Sequence, residues 1–129
     1  PLKPLAKIAS GGEIARIMLA LKSLLAEVDG IPVIIFDEVD TGIGGLTIKP
    51  VAEKLLHTSK YTQVICITHA AQIASLADNH YYIKKTTNDK RTSTFVKKLT
   101  TKEERIEELT RMLGATSKAK EYARDLISK

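Results

Sequence analysis

Val33-Ile34-Ile35-Phe36-Asp37-Glu38 sets four apolar residues ahead of two adjacent carboxylates, and Val39-Asp40-Thr41-Gly42 follows at once. An apolar run this short, built from β-branched and aromatic side chains, reads as a buried strand. Paired acids at a strand end are wasteful unless something at the tip needs negative charge. A Mg²⁺ ion, with a water to be deprotonated, meets that need in nucleotide hydrolysis. A helix cap or a solvated turn is the structural alternative.

The flanking sequence weighs against that alternative. Upstream, Ser10-Gly11-Gly12-Glu13 opens a helix predicted over 11–29 and ended by Asp29-Gly30. Ile14, Ile17, Met18, Leu21, Leu24, Leu25 and Val28 keep the spacing of a half-buried helix face. Ser10 and Glu13 fit a capping box, so the serine has a structural reading. Two glycines in a first turn are costly for a cap, and fit a backbone that must approach a ligand closely. Bare amides and a hydroxyl at a helix mouth suit a phosphate. Downstream, Gln63-Val64-Ile65-Cys66-Ile67-Thr68 reads as a second strand with His69 at its end. A lone histidine is more often structural, but this one shares a predicted sheet end with Asp37 and Glu38.

Ser-Gly-Gly-Glu on a helix, a Walker B strand ending in Asp-Glu, then Asp40, then a strand ending in His, resembles the C-terminal half of an ABC-type ATPase head. The SMC-like branch, whose heads are split in sequence by a long coiled coil, is closest. Pro4-Leu5-Ala6-Lys7-Ile8-Ala9-Ser10-Gly11-Gly12-Glu13, Phe36-Asp37-Glu38-Val39-Asp40-Thr41-Gly42-Ile43-Gly44-Gly45 and Ile67-Thr68-His69 resemble the RecN family of bacterial DNA repair proteins. The resemblance covers nearly the whole chain, and Phe36 to Gly45 is its most specific part. Ala70-Ala71, Ile14-Ala15 and Lys49-Pro50 depart from the family pattern without removing a ligand-bearing side chain.

The resemblance implies an α/β fold: one lobe over residues 1–129, a largely parallel sheet flanked by helices, with a β-hairpin. It implies that Asp37 holds Mg²⁺ through a water and that Glu38 orients and deprotonates the attacking water. Asp40, in the D-loop, organises the dimer interface, and His69 senses the γ-phosphate. Ser10, Gly11 and Gly12, with Glu13 in the same signature, reach ATP bound on an opposite head. The implied cofactors are ATP and Mg²⁺. The implied partners are the N-terminal half of the same head, a second head, and DNA for the full-length protein in double-strand-break repair and recombination. Arg16 is expected to pair near the signature helix, and His57 and His80 to be surface or packing residues.

A P-loop requires Gly-x-x-x-x-Gly-Lys-Ser/Thr. The cluster Gly42, Gly44, Gly45 fails that spacing, because Thr47 stands at the second glycine position and no Gly-Lys-Ser/Thr occurs. The chain alone therefore lacks a cradle for the β- and γ-phosphates and is expected to be inactive. Two other classes remain open: the head of another SMC-like or ABC-family ATPase, and a non-catalytic interaction module of that fold.

At 129 residues and 43% hydrophobic content the chain can build one core. No run is long enough to cross a membrane, and no signal peptide is seen. The single Cys66 excludes a disulfide within the chain, which fits a reducing cytoplasm and, on the resemblance, association with the nucleoid. The net charge of +5 suits an acidic partner. Lys84-Lys85, Lys90-Arg91 and Lys97 could form a nucleic-acid surface or a solvated hairpin. Residues 1–9 read as an extended lead. Helices are predicted near 48–59, 70–77, 102–114 and 116–128. Strands are predicted at Tyr81–Lys84 and Thr92–Lys97, around a turn Thr87-Asn88-Asp89-Lys90.

Overall fold

A computed structural model describes residues 8–88 and 91–128. The predicted lead over 1–9 thus falls mostly outside the described residues, as does the tip of the predicted turn at Asp89-Lys90. The chain divides between Ile73 and Ala74 into two compact units.

In the N-terminal unit, helix α1 spans Gly11–Asp29. Ser10 caps it, and Gly30 ends it in the left-handed conformation (φ 60°) that glycine adopts freely. Strand β1 is Val33–Phe36, and strand β2, Gln63–Cys66, pairs with it in parallel from Val33↔Gln63 to Phe36↔Cys66. Between them a single 3₁₀ turn, Gly45–Thr47, leads into helix α2, Ile48–Thr58. Pro50 is tolerated there because the first helical turn has no intrahelical acceptor for its missing N–H. The predicted strand over 63–68 stops at Cys66, where β1 gives out, although the Ile67 amide still donates to the Phe36 carbonyl at 2.9 Å. Helix α3 is a single turn, Ala71–Ala74, rather than the predicted 70–77.

The core joins α1, β1, α2 and the segment after β2 through Leu19, Phe36, Val39, Ile48, Val51, Ala52, Leu55, Ala70 and Ile73. Ile34, Val64 and Cys66 pack against it from the sheet. Only one face of the sheet is covered in this way. On the other, Val33, Ile35, Ile65 and Ile67 remain exposed, Ile35 at 65%. The strand read as buried is therefore half covered.

The expected core face of α1 is likewise reversed. Ala15, Leu19 and Ala26 turn inward, while the predicted stripe lies outside, with Leu24 72% and Val28 80% exposed. The helix is apolar on both sides, and periodicity alone could not say which side this chain would cover. A helix apolar nearly all round belongs in an interior.

The C-terminal unit is built on a hairpin. Strand β3, His80–Asn88, pairs antiparallel with β4, Arg91–Leu99, from His80↔Leu99 to Asn88↔Arg91. Both strands run longer than predicted, so the larger β component is antiparallel and the parallel component is the short pair β1–β2. The two pairs form separate sheets, so the expected parallel strands and the expected β-hairpin are both present, one in each unit.

Helices α4, Lys102–Met112, and α5, Ser117–Ile127, pack around the buried Leu109, Ala119 and Ala123. Thr101 and Glu104 form a complete capping box at the start of α4. Arg105 Nη2 donates to the carbonyls of Ser75 and Ala77 at 3.0 and 2.8 Å. The Arg111 guanidinium lies 5.3 Å from the Tyr82 ring centroid, and Lys97 pairs with Glu104 at 2.6 Å. The described fold is mixed α/β, with a parallel strand pair in one unit and an antiparallel ribbon in the other.

Candidate functional site

The acidic strand end is held by the mouth of α1. Gly11 lies so close to Glu38 that an added Cβ would stand 2.7 Å from its Oε2. At Gly12 a Cβ would meet the Thr41 carbonyl oxygen at 2.7 Å and the Glu38 carbonyl oxygen at 3.1 Å. Close approach requires glycine at position 12, where the neighbours are backbone oxygens, whereas at Gly11 the neighbour is the mobile end of an exposed side chain; the surface approached is the chain's own acidic turn. Ser10 completes a capping box: its amide donates to Glu13 Oε2 at 2.7 Å, and its hydroxyl accepts from the Glu13 amide at 3.3 Å. The Ser10 amide and hydroxyl hold the Glu13 carboxyl below the usual carboxylate range. The structural reading of Ser10 is thus realised. Its side chain is also exposed, which leaves the helix mouth open to solvent.

Arg16 clamps the turn from the next helical turn of α1. Its Nη1 donates to the carbonyls of Val39 at 3.2 Å and Thr41 at 2.9 Å. This bears out a structural pairing, with backbone carbonyls as the partners. Within the turn, the Thr41 amide donates to the Glu38 carbonyl at 3.1 Å. Glu38 itself adopts φ 61°, a left-handed conformation that costs a residue with a Cβ about 1–2 kcal/mol. Strain of this kind persists only where the surroundings impose it, and it gathers at functional sites. Both Asp37 and Glu38 are exposed.

Asp40 ties the turn to the end of β2. Its Oδ2 accepts from the Thr68 hydroxyl at 2.9 Å and from the His69 amide at 2.7 Å. Thr68 Oγ1 in turn accepts from the Ala70 amide at 3.0 Å. Asp40 is 9% exposed, and its buried Oδ1 has no partner among the described residues. The His69 side chain is exposed beside this joint. Sequence reasoning missed Thr68; the signal was a hydroxyl residue just before the strand-end histidine. Cys66, next along β2, has its thiol pushed up to about 12, first by burial and then by the Asp40 and Asp37 carboxylates, so it is inert as a nucleophile at neutral pH.

Among the described residues no group of three His, Cys, Asp or Glu side chains could hold a metal ion. An exposed carboxylate at Asp37 suits an ion that keeps most of its waters and draws other ligands from a phosphate, as Mg²⁺ does. The arrangement gathers Ser10, Gly11, Gly12, Glu13, Glu38, Asp40 and His69 around one end of the sheet. Asp37 starts the acidic turn there, and Gly11 and Gly12 offer first-turn amides beside it.

The described structure is therefore a mixed α/β protein with an acidic turn clamped at a helix mouth and joined to a strand-end histidine. In sequence, the chain matches the C-terminal region of curated DNA repair proteins named RecN. It is 48% identical to the DNA repair protein RecN of Halalkalibacterium halodurans, over 98% of this chain and 23% of that protein. It is 46% identical to the DNA repair protein RecN of Bacillus subtilis, over 98% of this chain and 22% of that protein. Against the protein of the same name from Deinococcus radiodurans it is also 46% identical, over 98% of this chain and 22% of that protein. The chain thus spans less than a quarter of the length of these relatives. No protein-family model matches it. No helix among the described residues is long and apolar enough to cross a membrane.

Proposed function

We propose that this chain is the C-terminal lobe of an SMC-like, ABC-type ATPase head, acting in bacterial DNA double-strand-break repair and recombination. The observation that carries this reading is the convergence at one sheet end. The signature glycines touch Glu38, and Asp40 bonds the amide of His69. The open apolar surface supports it as well, because the exposed stripe of α1 and the bare face of β1–β2 leave room for the rest of a head. That cover would come from the N-terminal half of the same protein, which would also bring the P-loop.

In the completed head each residue has a task. Asp37 would hold Mg²⁺ beside the phosphates, supplying charge neutralisation for phosphoryl transfer. Glu38, aimed by its left-handed backbone, would orient the attacking water and accept its proton. The Asp40–Thr68–His69 joint would keep the histidine in register with the acidic turn. Ser10 and the glycine amides would meet ATP held by a second head, so that ATP joins two heads and hydrolysis parts them. On this reading the isolated chain neither binds ATP tightly nor turns it over.

The test is ATP turnover by the protein that joins this chain to the remainder of the head. Glu38→Gln should leave ATP binding intact and slow hydrolysis by at least ~10²-fold, as expected for loss of a positioned general base. Unchanged turnover, or comparable turnover by the isolated chain, would overturn the assignment.

A further inference from the structure

The charge of this chain is concentrated in one element. Residues 80–99 hold six basic side chains (Lys84, Lys85, Lys90, Arg91, Lys97, Lys98) and one acid, Asp89. Their net charge of +5 equals that of the whole chain, so the other 109 residues, with 14 basic and 14 acidic side chains, sum to zero. A globular surface usually mixes its signs. Here the signs segregate onto a two-stranded ribbon that stands exposed from Ile83 to Thr87 along β3 and from Thr92 to Lys98 along β4.

The ribbon's side chains say what kind of anion it fits. Lys97 is engaged with Glu104, but Lys84, Lys85 and Lys98 are exposed and make no ion pair among the described residues. Lys98 is opposite Tyr81 and Lys85 opposite Thr94, which puts both lysines on one face; Lys84, opposite Phe95, is on the other. Toward the turn run Thr86, Thr87, Thr92, Ser93 and Thr94, all exposed hydroxyls, while Ile83 and Val96 form an exposed aliphatic pair on the face of Lys85 and Lys98. Lysines and hydroxyls are the groups that contact phosphate and sugar. Tyr81 and Phe95 fall on opposite faces, and Tyr82, on the face of Phe95, is half-buried with the Arg111 guanidinium against its ring, so no continuous open platform exists among the described residues on which unpaired bases would stack. Charge on both faces suits a ribbon set between two rows of phosphates, and a major groove ~12 Å wide admits a two-stranded ribbon.

We propose that the β3–β4 ribbon is a docking surface for the phosphate backbone of duplex DNA, bound without sequence preference through Lys84, Lys85 and Lys98. The choice of DNA over another polyanion rests on the repair function proposed above. The charge segregation does not.

The test is fluorescence anisotropy of the full chain on a labelled 20-base-pair duplex, with salt varied from 50 to 200 mM. Neutralising each phosphate contributes about 0.9 to the slope of log affinity against log salt, so the triple variant Lys84→Gln/Lys85→Gln/Lys98→Gln should flatten it by about 2.7. Affinity at 0.1 M salt should fall about tenfold or more. The matching triple change to arginine should retain the slope, and circular dichroism should show the same fold for all three proteins. An unchanged slope, tighter binding to a single strand of the same length, or no duplex binding by the unaltered chain would overturn the proposal. ATP turnover by the completed protein without DNA should be unaffected by the triple variant. Failure of the ribbon assignment is thus distinguishable from failure of the ATPase reading, which Glu38→Gln probes.

Discussion

The two units of this chain solve opposite problems. Residues 1–73 carry seven basic and seven acidic side chains, a net charge of zero; residues 74–129 carry thirteen and eight, a net charge of +5. The N-terminal unit leaves apolar surface bare: Leu21, Leu24 and Val28 on α1, and Ile35 and Ile65 on the sheet. What the C-terminal unit exposes along its ribbon is lysine and threonine, with Tyr81, Ile83, Phe95 and Val96 among them. Bare apolar surface has to be covered by protein, whereas bare positive charge is stable in water and waits for an anion. The N-terminal unit is therefore an incomplete interior, and the C-terminal unit a basic surface with apolar side chains set among its charges.

The sharpest way to break this contrast is at the joint inside the N-terminal unit. Asp40→Ala would strip the acceptor from the part-buried Thr68 hydroxyl and His69 amide. Leaving such groups unpaired costs about 1–3 kcal/mol each, partly offset by removing the partnerless Oδ1, so a net loss of about 2 kcal/mol is expected in urea denaturation. A loss under ~0.5 kcal/mol would mean that the turn does not depend on this carboxylate. The C-terminal unit's hydrogen-exchange protection should be unmoved, because no member of the joint lies within it.

A second test works on the C-terminal unit alone. His80 is buried at the foot of the ribbon, and its Nδ1 has no partner among the described residues. Burial, and then the Arg105 guanidinium, push its pKa down, against a smaller opposing pull from Glu108. A histidine whose folded pKa is depressed contributes stability above its unfolded value and loses it as pH falls through that value, which is about 6.5. Denaturation of the C-terminal unit should therefore become easier from pH 7.5 to 5.5, and His80→Leu should flatten the dependence. Glu104 does not confuse this window. The Lys97 ammonium, then the Thr100 and Thr101 amides, hold its carboxyl at about 2, so its contribution is lost only below the ordinary carboxylate range. A pH profile that His80→Leu leaves unaltered would remove the histidine from the explanation.

What the sequence disclosed follows the same division. The ends of α1, the extent of β1 and the capping box of Ser10 with Glu13 were all legible, because each depends on residues within a few positions of one another. The buried side of α1 was not. Its apolar residues ring the helix, and the choice of Leu19 over Leu21 is made by α2 and the sheet. The convergence of Asp37, Glu38 and His69 could be expected from two strand ends in one sheet. Thr68 and Asp40 as its fastening could not, since their hydrogen bonds cross 28 and 29 residues. On the C-terminal side, the hairpin was legible from its turn residues but was read too short, because long-range pairing extends β-structure through lysines and threonines that carry no apolar alternation.

The smallest expected effect compares two residues that, among the described residues, hold side chains in left-handed backbone, one in each unit: Glu38 at φ 61° and Ala115 at φ 56°. Ala115 follows Gly114 (φ 95°) in the turn between α4 and α5, where its amide donates to the Thr110 carbonyl at 2.8 Å. Glycine at either position should relieve up to about 1 kcal/mol of strain, less the entropy a glycine gains in the unfolded chain. Both Ala115→Gly and Glu38→Gly should then leave the melting temperature level or slightly raised. They should separate in the completed protein, where only Glu38→Gly removes the carboxylate proposed to activate water. Strain in the α4–α5 turn is a by-product of reversing the chain. Strain at the acidic turn is retained in the place where glycine, the unstrained alternative, would lack the carboxylate. If Glu38→Gly instead destabilised the unit markedly, the contact of Glu38 with Gly11 would be holding the turn together, and the left-handed glutamate would need no functional explanation.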